Sequence, residues 1–168
     1  MTPRSLSPEP VDYTFDTDPA PLVPQTGDEA NNALSGTTGV RDRLIGLGGD
    51  DILVGFDGRD YLEGGDGDDL LSGGGDTRGE DRFAFGRDDG NDFITDFVPQ
   101  CEICIQIFPG PEGDRILLLD GQPGDIAAVV KGVTESPDGD AVLHYGTTTI
   151  TMAGIDAERV TEEWFLIG

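Results

Sequence analysis

GLGGDDILV (46–54), GFDGRDYLE (55–63) and GGDGDDLLS (64–72) follow one another without a gap. Each is nine residues long, with Gly at positions 1 and 4, Asp at position 6 and Leu at position 8. A bias toward Gly and Asp would scatter these residues; a fixed frame means that each has an assigned place. Upstream, GDEANNALS (27–35) carries Asn32 at position 6 and Leu34 at position 8. GTTGVRDRLI (36–45), one residue longer, supplies Gly39, Asp42 and Leu44. Downstream, GGGDTRGEDRFA (73–84) is three residues too long yet keeps Gly79, Asp81 and Phe83 in mutual register, and GRDDGNDFIT (86–95) offers Gly90, Asp92 and Ile94.

A lone apolar residue between polar ones suits a three-residue strand with one buried face, and glycines let tight loops take φ > 0 without steric cost. The pattern therefore predicts a parallel coil in which two nonapeptides make one turn and copy n lies beside copy n+2. Strands of such a coil stack about 4.8 Å apart, and Ca²⁺–oxygen distances run about 2.3–2.6 Å. An ion held between two stacked loops thus bridges oxygens one strand spacing apart. Carboxylates and carbonyls are hard donors, which favour Ca²⁺ over Zn²⁺ or copper.

GGDGDDLLS resembles the nonapeptide G-G-x-G-x-D-x-U-x of repeats-in-toxin, or haemolysin-type calcium-binding, proteins. The resemblance implies an all-β fold: a right-handed parallel β-roll of about seven copies over residues 27–98, with Ca²⁺ along both loop edges. The ligands it implies are the side chains of Asp42, Asp51, Asp57, Asp60, Asp69, Asp81 and Asp92 and the loop positions Gly46, Gly48, Gly55, Gly64, Gly65 and Gly67. Asp51 would share an ion with the loop of Asp69, and Asp42 with the loop of Asp60. The insertions at 73–75 and 85–86 are expected to disturb the stacking of Asp60 on Asp81 and of Asp69 on Asp92. Asn32 and the extra residue of the second copy are expected to weaken the first layer.

Charge narrows the partners. With 34 acidic residues against 10 basic ones the net charge is −24, so nucleic acid and anionic membrane would have to bind against that field. Only 36% of the residues are hydrophobic, too little core for so much self-repulsion unless cations neutralise it. No apolar run reaches 18 residues, so no membrane span is expected. An EF-hand loop beginning at Asp66 would need Gly and Glu where Leu71 and Thr77 stand, and the only lysine, Lys131 in VKG, does not fit a P-loop.

Residues 1–26 read as a Pro-rich extended arm, and the lack of an apolar h-region there argues against a Sec signal peptide; a short strand near Tyr13–Phe15 is a minor expectation. Residues 99–168 are read as an antiparallel β cap that resembles the C-terminal cap and uncleaved type I secretion signal of the same family. Within it Ile116–Leu119 suits a buried strand, and IAAVVKGV (126–133), DAVLHY (140–145) and TTTITMAG (147–154) a three-strand meander. A helical turn and an apolar segment are expected to close the chain. His144, the only histidine, has no nucleophile motif around it and reads as a half-buried strand residue; Trp164 reads as a core anchor. Cys101 and Cys104 have the C-x-x-C spacing without its strand-to-helix setting. Together these features point to a secreted, non-catalytic protein that folds on binding Ca²⁺. Its partners would be the type I secretion machinery and an extracellular protein, surface or polysaccharide. The alternative is an export or accessory module serving an enzyme or toxin on another chain.

Overall fold

The computed structural model describes residues 23–75, 80–99 and 113–168; the expectations for Tyr13–Phe15, Cys101 and Cys104 lie outside them. The frame read from the nonapeptides is the frame of the fold. Strands β1 (Val23–Thr26), β3 (Asp42–Gly48), β5 (Tyr61–Asp66), β7 (Arg82–Phe85), β9 (Arg115–Leu118) and β13 (Phe165–Ile167) stack in that order in one sheet, every pair parallel. The intervening strands β2 (Ala33–Ser35), β4 (Ile52–Val54), β6 (Leu70–Ser72) and β8 (Asn91–Ile94) form the second sheet, also in parallel. The chain alternates between sheets at each nonapeptide, so copy n pairs with copy n+2: Arg43 opposite Tyr61, Ile52 opposite Leu70.

One apolar residue per strand builds the core. Leu44, Leu62, Phe83 and Ile116 from the first sheet meet Leu53, Leu71 and Ile94 from the second, and all are fully shielded from solvent. Each is position 8 of its repeat, or its continuation at Ile116. Only Leu34, at the first rung, is partly buried, because no strand stacks beyond β2 among the described residues. At the other end Phe97 packs on Phe83 and on Trp164, with ring centroids 6.1 and 5.4 Å away. Trp164 is thus the core anchor expected of it.

The C-terminal third departs from the meander in two ways. The segment containing IAAVVKGV is mostly helical, α1 (Asp125–Lys131). Ile126, Val129, Val130 and Val133 recur at helical spacing and turn one face to the core, while Asp125 and Lys131 complement the helix dipole. β-branched content suggested a strand; periodicity wins. Nor is the cap purely antiparallel. β12 (Thr148–Met152) lies parallel on β8, and β13 lies parallel on β9, so both sheets continue past the repeats. Only β10 (Thr134–Glu135) and β11 (Ala141–Tyr145) run antiparallel, on β12's far side. Two short 3₁₀ turns, Ala157–Arg159 and Glu162–Trp164, lead into β13. His144 is exposed on β11 rather than half-buried.

The glycines divide into two groups. In the four copies that begin at Gly46, Gly55, Gly64 and Gly73, position 2 takes φ > 0: Gly65 and Gly74 have φ 103° and 121°, and Leu47 and Phe56 are held there at 87° and 68°. A β-carbon in that region costs roughly 1–2 kcal/mol, and both side chains are more than 40% exposed, so little burial compensates. Leu47→Gly is therefore expected to stabilise the fold by about 0.5–1 kcal/mol after the entropy cost of a new glycine. Thermal melts of the calcium-loaded protein will read this; a loss of stability would mean that Leu47 packs usefully where it stands. Position 1 has no positive φ at Gly46, Gly55 or Gly64, so its glycines need another reason.

Candidate metal centre

That reason is space. A β-carbon on Gly46 would run into Asp51 Oδ2 and the carbonyl oxygen of Gly64 in the next loop. On Gly55 it would meet Asp60 Oδ2 and the Gly73 carbonyl; on Gly64 it would meet Asp69 Oδ2. Gly36 repeats the arrangement, with the Gly55 carbonyl 2.5 Å and Asp42 Oδ2 2.6 Å from the position a β-carbon would take. In front of each bare Cα, a carboxylate oxygen of the same loop thus comes together, in most cases, with a carbonyl oxygen of the next.

The aspartates themselves form a ladder. The backbone N–H of Asp42 donates to Asp60 Oδ1 and that of Asp51 to Asp69 Oδ1, both at 2.8 Å and both across 18 residues. Asp60 donates in the same way to Asp81 at 2.8 Å and Asp69 to Asp92 at 3.1 Å. The two insertions were expected to disturb these last two rungs and do not. Extra residues lengthen the loops, the sequence separation rising to 21 and 23, while the strands keep register. The first layer is also built: Asn32 N–H donates to Asp51 Oδ1 at 2.6 Å, and Asn32 Oδ1 faces Gly27 beside the Gly46 carbonyl.

All six aspartates of the ladder are at most 4% exposed. The ladder occupies only part of each carboxylate. Asp42 Oδ1, Asp51 Oδ2, Asp69 Oδ2 and Asp92 Oδ2 are buried with no hydrogen-bond partner. Leaving a buried charged acceptor unsatisfied costs at least about 1–3 kcal/mol each. Burial raises the pKa of Asp51, the N–H donated by Asn32 lowers it, and the charges of Asp28 and Asp50 raise it further. Asp69 is pushed up to about 7 and Asp92 to about 8, in each case first by burial and then by neighbouring carboxylates, Asp89 among them, against one lowering N–H bond. These carboxylates demand either a proton or a cation. Among the described residues no three acidic or other ligating side chains converge tightly enough to hold an ion alone, so main-chain carbonyls must complete any shell. Calcium's preference for six to eight oxygens, carbonyls included, fits that donor set.

The remaining sequence-derived positions fall around this row. Gly48 is buried, its missing β-carbon 3.6 Å from the Asp66 carbonyl. Gly65 and Gly67 turn through φ 103° and 143° with the Leu47 and Gly49 carbonyls against them. Asp57 is exposed, and its carbonyl accepts from Gly39 N–H at 2.5 Å.

Three features escaped the sequence. Asp114 adds a rung, accepting from Asp81 N–H at 3.0 Å through Oδ1 and from Val98 N–H at 2.7 Å through Oδ2. Its signal was the D-x-I spacing to Ile116, the D-x-U of the repeat without a glycine frame. Asn31, Asp50, Asp68 and Asn91 form a second, exposed ladder at position 5, with the donors running the opposite way. Asp96 gathers Ser72 Oγ and the N–H groups of Gly73 and Gly74 at 2.7–3.0 Å, fixing the turn after β6.

Stacked loops, one buried aspartate per rung and oxygen-lined clefts before each first glycine define a calcium-binding β-roll. Residues 26–55, 37–71 and 54–77 match the family model of the RTX calcium-binding nonapeptide repeat, described as four copies. The chain thus carries RTX repeats, and these repeats are calcium-binding. No curated protein matches the chain. Among solved structures it is similar to the extracellular lipase LipA from Serratia marcescens, with 23% identity and a TM-score of 0.61, over 86% of this chain and 21% of the lipase. The chain thus spans about a fifth of that enzyme's length, and the likeness is one of fold. The AlgE6R3 subunit of the Azotobacter vinelandii mannuronan C5-epimerase is 27% identical with a TM-score of 0.58, over 89% of this chain and 85% of that one. The AlgE6R2 subunit shares the fold at 24% identity and a TM-score of 0.55, covering 89% and 94%. Among the described residues no helix is long and apolar enough to cross a membrane.

Proposed function

We propose that this protein is exported and folds on meeting extracellular calcium, acting afterwards as a non-catalytic structural or adhesive module. The observation that carries this reading is the row of buried carboxylate oxygens without partners at Asp42, Asp51, Asp69 and Asp92 in a chain of net charge −24. The ions would sit between stacked loops, held by Asp42, Asp51, Asp60, Asp69, Asp81 and Asp92, with Asp57 and the backbone at Gly46, Gly48, Gly55, Gly64, Gly65 and Gly67 completing the shells. Where calcium is scarce the carboxylates repel and the coil does not close, which leaves a chain able to thread a type I exporter. Outside, millimolar calcium fills sites of the roughly 10⁻⁴–10⁻³ M class, and an ion that binds only the folded state stabilises it by mass action.

Far-UV circular dichroism during calcium titration of the ion-free protein tests this. The expected result is a cooperative gain of β signal near millimolar Ca²⁺ that Mg²⁺ does not reproduce. A β-rich spectrum indifferent to calcium and chelator would remove the folding switch and the export mechanism built on it.

A second reading has one observation in its favour: the likeness to the AlgE6R3 subunit extends over most of both chains. On this reading the chain is an accessory module that holds an enzyme near an acidic polysaccharide. Calcium-dependent retention on immobilised polyuronate supports it; passage straight through such a column in calcium excludes it.

A further inference from the structure

Loop 86–92 distributes its carboxylates differently from the loops before it. Where the first glycine is Gly27, Gly36, Gly46, Gly55, Gly64 or Gly73, the side-chain oxygen facing it belongs to position 6: Asn32, Asp42, Asp51, Asp60, Asp69 or Asp81. In a regular loop such as 64–69 a single carboxylate serves twice. One oxygen takes the N–H of the neighbouring rung and the other faces the glycine. In loop 86–92 these two roles are divided. Asp92 Oδ1 accepts from Asp69 N–H at 3.1 Å, and its Oδ2 is buried without a partner. The residue facing Gly86 is instead Asp89, whose Oδ1 and Oδ2 lie 2.5 and 3.1 Å from the position a β-carbon would take; Gly86 N–H donates to Asp89 Oδ2. The duties of one regular carboxylate are therefore divided between two, and Asp89, part-buried where its counterpart Asp57 is exposed, turns its oxygens to the first glycine.

The loop is also clamped from both sides. Gly67 N–H, one layer back, donates to the Asp89 carbonyl at 2.7 Å. On the far side Asp89 N–H donates to Thr148 Oγ1 at 2.8 Å, and that hydroxyl donates to the Gly86 carbonyl at 2.9 Å. Thr148, the first residue of β12, is fully buried. Resting on the reading that the repeats bind calcium, we propose that Asp89, at the variable third position of the nonapeptide, joins Asp92 as ligand in a calcium site at the junction of roll and cap, and that this site binds its ion more tightly than the regular loops do. Carboxylate count and rigidity of the loop are the two properties that tighten a calcium site. Both are raised here, the second by cap residues that the repeat does not encode. The first ion to bind would then fasten the last turn of the roll to β12.

The experiment is isothermal titration of the ion-free full chain with CaCl₂, comparing the unmodified protein with Asp89→Asn, Asp89→Glu and Asp51→Asn. The unmodified protein should show one class of site at least about tenfold tighter than the rest. Asp89→Asn, which keeps an oxygen for Gly86 N–H, should abolish that class and leave the weaker sites within about twofold; Asp89→Glu should retain most of it. Asp51→Asn should weaken the other class alone. A tight class unchanged in Asp89→Asn overturns the proposal and leaves the repeat reading standing, whereas no calcium uptake by the unmodified protein would sink both. Hydrogen exchange on the unmodified chain with one equivalent of calcium gives a measure that needs no variant. Amides of 86–92 and Thr148 should be protected before those of 46–51, and the reverse order also overturns the proposal.

Discussion

Calcium-free protein will be more stable at pH 5 than at pH 8. Asp69 and Asp92 are held at about 7 and about 8 in the folded chain, against about 3.9 for an aspartate in an unfolded one. Between those values the folded state keeps protons that the unfolded state has released. The stability they contribute is fully present below about pH 4 and is lost as pH rises through 7 and 8. A shift of some three units on Asp69 is worth roughly 4 kcal/mol. Asp92 interacts with Asp69 directly, so the pair supplies about that much rather than twice it. Protonation of other carboxylates adds to the effect by reducing self-repulsion from a net charge of −24. Calcium should reverse the trend, because the ion needs the carboxylates deprotonated and its affinity falls as pH falls. Thermal melts at pH 5, 6.5 and 8, with and without 5–10 mM calcium (~ extracellular-class saturation), will show two crossing dependences. An ion-free protein that gains stability steadily toward pH 8 would show that these aspartates are not proton-or-cation sites.

Gly46→Ala will be strongly damaging even though it strains no backbone dihedral. Alanine is tolerated by the local backbone, since Gly46 has no positive φ, so conformational strain predicts almost no effect. The added methyl instead occupies the cleft, against Asp51 Oδ2 and the Gly64 carbonyl. The second of these is β5 backbone held between the paired residues Glu63 and Gly65 and has little freedom to yield. Overpacking of this kind costs up to about 3 kcal/mol, a fall in melting temperature of roughly 6–12 °C for a chain of this size, and the calcium isotherm should weaken by about tenfold or more because the methyl would stand in the place proposed for the ion. Gly139→Ala is the control: its φ is 91° and no atom lies within 4 Å of the new carbon, so it should cost only the 1–2 kcal/mol of a left-handed alanine with unchanged calcium binding. Equal losses for the two variants would mean that position 1 is glycine for a reason other than the cleft.

The nonapeptide half of this molecule was legible because its interactions are local in the repeat frame. A fixed offset of 18 residues brings Asp42 to Asp60 and Asp51 to Asp69, and position 8 has nowhere to point but inward, as the full burial of Leu44, Leu53, Leu62 and Leu71 shows. Periodicity also carried through the insertions better than expected, since residues added to a loop do not alter what the strands can pair with. The helix at Asp125–Lys131 was misread because three β-branched residues within it and Val133 just beyond gave a strand-like composition, and only burial on one face separates the two periods.

What the sequence by itself determined is thus the coil, its two edges and the identity of the aspartate row: each follows from spacing along the chain. What only the tertiary structure decided lies where chain distance stops predicting spatial distance. Asp114 reaches Asp81 across 33 residues, Thr148 reaches Asp89 across 59, and β12 and β13 extend both sheets in parallel rather than folding back on themselves. Those contacts are selected by the need to cover the last hydrophobic rung and satisfy the last open strand edges, a demand that exists only once the roll itself has been built.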